Sequence, residues 1–310
     1  MKILVTCPPM LGMMEELRHY FQQKNVDVHC PDVVQTLSED ELCTLVPEYD
    51  GWIIGDDPAT RRVFEAGRLG KLKAAVKWGI GVDNVDFQAC EELGIPITNT
   101  PMMFGREVAD VAMCYVTMLA RDIGQIHDGV RAGAWPKPRG ISLADKVVGL
   151  VGFGDIGRNV AKRLLAADAK VVAYDPFYQA AAGLDAVVPA DWPNQIEQCD
   201  FLVFTCALTE SNRHMLGGEE LARVKAGVRV INVARGPLIN ESALGEAMEC
   251  GQVLAVALDV FEVEPLPDNS PLRAYPNNIF GSHNGSNTAD AVLRASEVAI
   301  QKLFSYLKVD

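Results

Sequence analysis

Short apolar runs alternate with amphipathic stretches along the first hundred residues. Apolar runs bounded by turn residues are typical of buried strands, and apolar positions spaced three and four residues apart are typical of helices. The candidate strands and helices of this region cover residues 3–7, 15–23, 26–30, 51–55, 73–78, 87–93 and 95–98. Their alternation predicts a parallel sheet with helices on its faces.

The pattern breaks at Asn99-Thr100-Pro101, and a long helix is predicted over residues 107–121. Residues 124–146 include Gly133-Ala134-Trp135-Pro136-Lys137-Pro138, which is too rich in helix and strand breakers for regular structure. We interpret this stretch as a candidate dimerisation arm.

A second alternating region follows the breakers. Strands are predicted at 147–151, 170–174, 201–205, 228–233 and 253–259, and helices at 156–167, 218–223, 242–250 and 290–307. The order predicts a second doubly wound sheet, with the last helix packing back on the first domain. The predicted fold class is therefore α/β with two doubly wound parallel-sheet domains. The first consists of residues 1–98 plus 287–310, and residues 99–286 form an inserted second domain.

Charge and composition narrow the function classes. The formal net charge of −13 argues against nucleic acid and anionic membrane surfaces as partners, because phosphate binding requires clustered Lys and Arg. Eight cysteines form no CxxC pair and are predicted to be reduced, buried thiols, and four of the five histidines (19, 29, 127 and 214) show no spacing suited to a metal. The histidine spacing therefore predicts no metal. Because no apolar stretch approaches 18 residues, we expect a cytoplasmic protein.

A glycine-rich loop is the clearest motif. Gly152 follows an apolar strand and permits a tight turn, Gly154 permits close approach of a pyrophosphate, and Gly157 permits close packing of the next helix. Eighteen residues later, Asp175 ends the next strand, where a carboxylate accepts hydrogen bonds from ribose hydroxyls and repels a 2′-phosphate. The motif predicts NAD rather than NADP. The alternative is a structural turn with an ordinary capping aspartate.

A second pair of glycines, in Gly79-Ile80-Gly81-Val82-Asp83-Asn84, also follows an apolar strand. It lacks the third glycine and the helix of a dinucleotide loop. Its exposed amides are suited to binding a carboxylate, as a nest of N–H groups.

The chain resembles the D-isomer-specific 2-hydroxyacid dehydrogenases, and among them the phosphoglycerate-dehydrogenase-like group. The resemblance covers nearly the whole length. It rests on several segments that occur in the family's order, which are 79–86, Asn99-Thr100-Pro101, 152–157, Asn232-Val233-Ala234-Arg235-Gly236, 258–265 and Ser282-His283-Asn284-Gly285-Ser286. It implies a flavodoxin-like substrate domain carrying an inserted Rossmann NAD-binding domain.

The same resemblance implies three catalytic residues. Arg235 would hold the substrate carboxylate and polarise its keto oxygen, His283 would be the acid/base, and Glu264 would pair with the histidine. Glu264 is chosen over Glu262 because the family places its glutamate just before the proline. The chemistry is consistent, since imidazole exchanges protons near neutral pH and guanidinium offers two parallel donors to a carboxylate. The alternative for Arg235 and Glu264 is an ordinary surface charge.

The resemblance further assigns cofactor and substrate contacts. Asp155 and Ile156 would contact the pyrophosphate, and Asp259 the nicotinamide carboxamide. The nicotinamide half would also lie against Cys206, Val233 and Ala234. The amides of Gly79, Ile80 and Gly81 would bind the substrate carboxylate.

Two segments depart from the family's usual pattern. Ala207 stands where proline is common, and Met102-Met103-Phe104-Gly105-Arg106 brings bulky residues and a cation where small or acidic residues are usual. The bulky residues would narrow the pocket. Arg106, together with Lys77, is a candidate for binding a distal phosphate or carboxylate of the substrate. The alternative for Arg106 is a surface pair with Glu107 or Asp110.

The sequence thus predicts an NAD-dependent oxidoreductase of a small D-2-hydroxy acid, with 3-phosphoglycerate, glyoxylate and hydroxypyruvate types as candidates, and a homodimer. An alternative of a different class is an NAD(H)-sensing, corepressor-like regulator without turnover. A hydrolase is a weaker alternative, because Ser282 beside His283 is not centred in a GxSxG elbow.

Overall fold

The computed structural model describes residues 1–309, which divide into two compact units. The first unit comprises Met1–Phe104 and the segment that begins at Ser286, and the second comprises Gly105–Gly285. Residues 99–104, placed by the sequence in the second domain, pack within the first unit: the Thr100 hydroxyl accepts the amide N–H of Gly79, and Phe104 packs against Trp78 with ring centroids 4.8 Å apart. The domain boundaries predicted from the sequence stay a prediction.

The first unit contains a five-stranded parallel sheet in the order β2-β1-β3-β4-β5. Its strands are β1 (Lys2–Val5), β2 (Asp27–His29), β3 (Gly51–Ile54), β4 (Ala74–Lys77) and β5 (Ile97–Asn99). Its helices are α1 (Pro8–Leu11), α2 (Met14–Gln22), α3 (Glu39–Leu45), α4 (Arg61–Leu69), α5 (Phe87–Leu93) and α11 (Ala289–Leu307). Strands β3 and β4 are buried along their whole length, as expected for a sheet covered on both faces.

Helix α11 packs on β3 and β4, as predicted from its amphipathic pattern. Thr288 caps its first turn by accepting the amide N–H of Ala291. The helix approaches β3 closely, because a Cβ at Gly51 would lie 2.9 Å from Leu307 Cδ1. The C-terminal segment therefore completes the core of the first unit.

The second unit contains a seven-stranded parallel sheet in the order β12-β11-β10-β9-β6-β7-β8. Its strands are β6 (Val147–Val151), β7 (Lys170–Tyr174), β8 (Val188–Ala190), β9 (Phe201–Phe204), β10 (Val228–Asn232), β11 (Val253–Leu258) and β12 (Ile279–Phe280). Its helices are α6 (Gly105–Arg121), α7 (Ile123–Arg131), α8 (Asp155–Ala166), α9 (Gly218–Arg223) and α10 (Glu241–Glu249). The order reverses between β6 and β9, as in dinucleotide-binding sheets.

The predicted α/β class with two parallel sheets is confirmed. The prediction that residues 124–146 lack regular structure is wrong for their first part, because α7 extends to Arg131. The prolines of this stretch all lie after residue 135, so they do not interrupt the amphipathic turns before them. Cysteines 7, 30, 43, 90, 114, 199, 206 and 250 are free thiols, but the prediction that they are buried is wrong for Cys114 and Cys250, which are exposed.

Candidate active site

Apart from Asp155, Ile156 and Gly157, which lie in the first turn of α8, the predicted cofactor-binding and catalytic residues of the second unit follow the carboxyl end of a strand or lie in the loop after it. From one side of the sheet to the other, the loops carry His283 after β12, Glu264 after β11, Arg235 after β10, Cys206 after β9 and Gly152 after β6. Asp175 follows β7. Ligands of open α/β sheets bind at this edge, where the strand order reverses.

The glycine loop has the geometry of a phosphate-binding turn. Gly152 has a φ of +97° and Gly157 packs so closely that a Cβ would lie 2.1 Å from the Gly152 carbonyl oxygen. A Cβ at Gly154, by contrast, would have no atom within 4 Å. The loop leads directly into α8, in whose first turn Asp155 and Ile156 lie. Open space beside free helix-terminal amides fits a dinucleotide pyrophosphate.

Asp175 is held by two backbone donors at the end of β7. Its Oδ2 accepts the N–H of Phe153 at 2.6 Å, and its Oδ1 accepts the N–H of Phe177 at 2.8 Å. The carboxylate is therefore fixed beside the glycine loop, where it remains able to accept ribose hydroxyls. The loop and this carboxylate together fit NAD.

Residues assigned to the nicotinamide half lie nearer the centre of the sheet. A Cβ at Gly152 would lie 2.6 Å from the Cys206 nitrogen, so the two loops pack directly together. Burial raises the pKa of the Cys206 thiol to about 12, which keeps the sulfur a neutral packing group. Val233 and Ala234 are buried at the end of β10.

The Arg235 turn is shaped by Asn232. The Asn232 side chain donates to the carbonyl oxygen of Arg235 at 2.8 Å and accepts the N–H of Ala234 at 3.0 Å. The half-buried Arg235 side chain donates from NH1 to the Ala234 carbonyl at 2.9 Å. The next residue, Gly236, touches the backbone of Phe261, since a Cβ there would lie 1.9 Å from its carbonyl carbon. The arginine turn and the loop that carries Glu264 are thus in contact.

Glu264 joins that loop to His283. Its Oε1 accepts the N–H of Phe261 at 3.0 Å, and its Oε2 lies 2.8 Å from Nδ1 of His283. Both side chains are about one-fifth exposed. Nδ1 faces the carboxylate, and this contact favours the tautomer with the proton on Nδ1 and the lone pair on Nε2. Glu262, the residue rejected in favour of Glu264, instead pairs with His214.

Asp259 fixes the turn that carries His283. Its carboxylate accepts the N–H of Gly285 at 2.8 Å and of Asn284 at 3.2 Å, and its backbone oxygen accepts the N–H of His283 at 2.7 Å. The Tyr115 hydroxyl donates to the same carboxylate at 3.4 Å, and burial together with that charge raises the pKa of Tyr115. Sequence reasoning assigned Asp259 only to the nicotinamide and missed Tyr115, because these contacts join positions far apart in the chain.

A second acidic residue supports the glutamate loop. Glu241, at the start of α10, accepts the backbone N–H of Glu262 at 2.7 Å. Burial and the neighbouring carboxylates of Glu262 and Glu264 raise the pKa of Glu241. Neither Glu241 nor His214 carried a signal in the sequence that would have placed it here.

In the first unit, the nest of N–H groups that is predicted to bind a carboxylate follows β4. Gly79 has a φ of +106° and its N–H is donated to Thr100 at 2.7 Å. Ile80 is 46% exposed, and Gly81 is half-buried. Of the three predicted substrate amides, those of Ile80 and Gly81 are therefore the better candidates.

The two predicted distal cations differ in their surroundings. Lys77 is buried at the end of β4, and its Nζ donates to Gly55 O at 2.7 Å and to Asp56 Oδ1 at 3.0 Å. Arg106 is exposed. Asp110, one expected partner of Arg106, forms an ion pair with Arg163.

The bulky residues before Arg106 also differ in their exposure. Phe104 is buried in the first unit, whereas Met102 is 74% exposed.

Within residues 1–309 no helix is long and apolar enough to cross a membrane, and no group of three or more His, Cys, Asp and Glu side chains could hold a metal ion.

A Rossmann-type sheet with this glycine loop and acidic strand end defines a dinucleotide-dependent oxidoreductase. Residues 113–285 match the family described as D-isomer specific 2-hydroxyacid dehydrogenase, NAD binding domain. The hydroxypyruvate reductase of Thermotoga maritima is 38% identical over 88% of this chain and 90% of its own length. The D-3-phosphoglycerate dehydrogenase of Methanocaldococcus jannaschii is 34% identical over 89% of this chain, which spans only 53% of that protein.

Among solved structures, the apo form of Escherichia coli D-lactate dehydrogenase superposes with a TM-score of 0.84 at 26% identity, covering 99% of this chain and 97% of that one. The chain belongs to the D-isomer-specific 2-hydroxyacid dehydrogenase family. It is an NAD-dependent oxidoreductase that acts on the CH–OH group of 2-hydroxy acids. The NAD(H)-sensing regulator considered above receives no support from these relatives.

Proposed function

We propose that the chain interconverts a small 2-keto acid of the glyoxylate or hydroxypyruvate type and its D-2-hydroxy acid. The observation that carries this proposal is the pairing of His283 with Glu264 beside the Arg235 turn, at the edge where the cofactor loop also lies. The cofactor chemistry would be hydride transfer, from NADH in reduction of the keto acid and to NAD+ in oxidation of the hydroxy acid. The chain's own residues supply the proton and the counter-charge.

His283 is the proposed acid/base. With Nδ1 turned to Glu264, Nε2 donates a proton to the keto oxygen in reduction and accepts it back in oxidation. Glu264 orients the ring and stabilises the imidazolium form that precedes proton donation. Asp259 holds the backbone of this turn, so the ring is presented from a fixed position.

Arg235 is the proposed partner of the substrate's carboxylate and keto oxygen. Guanidinium presents two parallel donors and keeps its charge at every working pH. Its turn is fixed by Asn232 and by the glycine contact with Phe261. The proposed contribution of the first unit is the pair of amides at Ile80 and Gly81, which suit a carboxylate oxygen.

The proposed pyrophosphate site consists of Gly152, Gly154, Asp155, Ile156 and Gly157. The proposed contacts of the nicotinamide half are Cys206, Val233, Ala234 and Asp259, and Asp175 is proposed to bind the adenosine ribose. The open space at Gly154 and the fixed carboxylate of Asp175 support this placement.

We also propose a homodimer formed through the arm of the second unit. Helix α7 contains no buried residue, and exposed apolar side chains occur at Ile123, Val130 and Trp135. Apolar groups in one region of a surface are typical of a protein interface. Static light scattering tests this: a mass near twice 33.7 kDa is expected, and a mass near 33.7 kDa would contradict it.

Absorbance at 340 nm tests the proposed reaction. Purified protein with NADH and a panel of 2-keto acids is expected to oxidise NADH with glyoxylate or hydroxypyruvate. NADH binding without oxidation by any acid of the panel would contradict the proposal. Chiral analysis of the product is expected to give the D isomer from hydroxypyruvate.

A further inference from the structure

The first unit has its own ligand-binding edge. Its strand order reverses between β1 and β3, and crevices at such reversals lie outside the carboxyl ends of the strands. The residues that follow β3 are Gly55, Asp56 and Asp57, and Lys77 ends the neighbouring strand β4. The Ile80 and Gly81 amides lie in the loop immediately after Lys77.

Lys77 is held inside this edge. Its side chain is 3% exposed, and its ammonium group donates to the carbonyl oxygen of Gly55 and to the carboxylate of Asp56. The Asp56 side chain is 36% exposed, so of the pair it is the carboxylate that faces solvent. Lys77 is therefore already ion-paired with Asp56 and hydrogen-bonded to Gly55 within the protein.

A second carboxylate lies behind the pair. Asp57 is fully buried and accepts the N–H groups of Leu37 and Gly55 and the hydroxyl of Thr6. Burial raises the pKa of Asp57. When Asp57 is ionised, the three side chains carry a net charge of −1, and when it is protonated they carry none. In neither state does this edge offer an uncompensated cation.

We infer that Asp56 sets the substrate class by cancelling the charge of Lys77, so that the enzyme selects 2-keto acids whose distal group is neutral over those with a distal phosphate or carboxylate. This inference rests on the proposed function and gives a structural reason for its restriction to the glyoxylate and hydroxypyruvate types. The earlier expectation that Lys77 binds a distal anion would then hold only once Asp56 is removed.

The physical reason is charge repulsion combined with the loss of an existing pair. A phosphate brings a charge of about −1.5 to −2 at neutral pH. To reach Lys77 it must displace Asp56, and the displaced carboxylate then lies beside it. Like charges placed together are a common means of rejecting an unwanted ligand.

Two substrates that differ only in the distal group measure this selection. Hydroxypyruvate and 3-phosphohydroxypyruvate share the keto acid and differ by one phosphate. The ratio of their kcat/KM values in the native protein is expected to favour hydroxypyruvate. In Asp56→Asn and in Asp56→Ser this ratio is expected to shift toward the phosphorylated acid by about tenfold or more, because Lys77 is released.

Asp50→Asn is the matched control. Asp50 immediately precedes the same strand β3, pairs with Lys73 at 2.7 Å and lies at the opposite edge of the sheet. It undergoes the same carboxylate-to-amide change beside a lysine and is expected to leave the ratio unchanged. Thermal unfolding of every variant tests whether the fold is retained. If Asp56→Asn does not fold, the ratio is measured in Asp56→Ser instead.

A measurement without turnover separates this inference from the proposed reaction. Titration of D-glycerate and 3-phospho-D-glycerate into the NADH-bound protein gives the same selectivity as a ratio of Kd values. An unchanged ratio in both Asp56 variants, an equal shift in Asp50→Asn, or a native preference for the phosphorylated ligand overturns the inference. Absence of turnover with every keto acid overturns the proposed function instead, and the Kd ratios still decide the role of Asp56.

Discussion

Oε2 of Glu264 lies 2.8 Å from Nδ1 of His283, although the two residues belong to loops after different strands. The contact depends on two anchors that are not part of the pair. Phe261 donates its N–H to the other oxygen of Glu264, and Asp259 holds the histidine turn. The pair is thus built by the loops that follow β11 and β12.

Removal of the imidazole is expected to abolish proton exchange without removing the cofactor. His283→Asn should lower kcat by about 10²- to 10⁴-fold, the usual loss for a general acid/base. The Kd of NADH, measured by fluorescence, should change little, because the glycine loop and Asp175 are untouched. Glu264→Gln should give a smaller loss, since the ring keeps a hydrogen-bonding partner. Full turnover in His283→Asn would show that the proton is carried by another group.

Two glycines of the same loop are expected to respond in different ways. Gly157→Ala should lower the free energy of unfolding by about 1–3 kcal/mol, because its methyl group would lie 2.1 Å from a backbone oxygen. Gly154→Ala has open space and should keep the melting temperature, while its methyl group occupies the approach of the pyrophosphate. Chemical denaturation and NADH titration distinguish the two. Unchanged NADH affinity in Gly154→Ala would place the pyrophosphate elsewhere.

The buried carboxylate of Asp259 is expected to act through the histidine turn. Asp259→Asn presents an NH₂ group to a site of N–H donors, and an unmatched donor there costs about 1–3 kcal/mol of stability. Displacement of His283 should also lower kcat about ten- to a hundredfold. Tyr115→Phe is the control, because it removes only a 3.4 Å hydrogen bond and should change kcat less than about threefold. Wild-type kcat in Asp259→Asn would contradict the positioning role.

Glu241 is expected to make stability depend on pH. Burial, and then the charges of Glu262 and Glu264, raise its pKa in the folded state above the ordinary 4.5. Between 4.5 and the raised value, the folded state binds more protons than the unfolded state, so stability falls as pH rises through this window. Below 4.5 both states are protonated and the effect is absent.

Glu241→Gln retains an oxygen for the N–H of Glu262 and removes the ionisation. Its melting temperature relative to the native protein should therefore increase between pH 4 and pH 7. Glu249→Gln, exposed at the end of the same helix, should show no such trend. A difference that stays constant across this range would mean that Glu241 does not titrate differently in the folded state.

The elements that sequence patterns predicted and those they missed differ in length and burial. Strands β6 and β11 are runs of five and six residues with continuous apolar character, and such runs are typical of buried strands. Strands β8 and β12 have three and two residues and lie at the two edges of the sheet, and their sequences show no apolar run that signals a strand. Helix α7 was not predicted, because the prolines that follow it made the whole stretch resemble a loop.

The candidate site divides in the same way. The glycine loop and Asp175 are local in sequence, so spacing alone predicted their place. The choice of Glu264 over Glu262 came from a family resemblance, because the two glutamates are equivalent in local pattern. The contacts of Asp259 with Tyr115 and Gly285 span 144 and 26 positions and depend on how strands pair, which no local pattern encodes.

Asp175 is expected to determine the choice of cofactor. Its carboxylate lies beside the glycine loop, where it would accept ribose hydroxyls and repel the 2′-phosphate of NADP. Asp175→Asn keeps the size and an oxygen for the N–H of Phe153, but removes the charge. The ratio of kcat/KM with NADH to that with NADPH should fall by about tenfold or more. Asp175→Ser should lower the ratio as well.

Both variants should lose some stability, because neither side chain accepts from both Phe153 and Phe177 as the carboxylate does, and Asp175→Ser should lose more because its side chain is also shorter. Comparison of the two variants therefore separates charge from structure. If charge sets the preference, both variants shift the ratio and only Asp175→Ser lowers the melting temperature strongly. A ratio that is unchanged in Asp175→Asn but altered in Asp175→Ser would mean that Asp175 acts by shaping the loop, and that NADPH is rejected by another group.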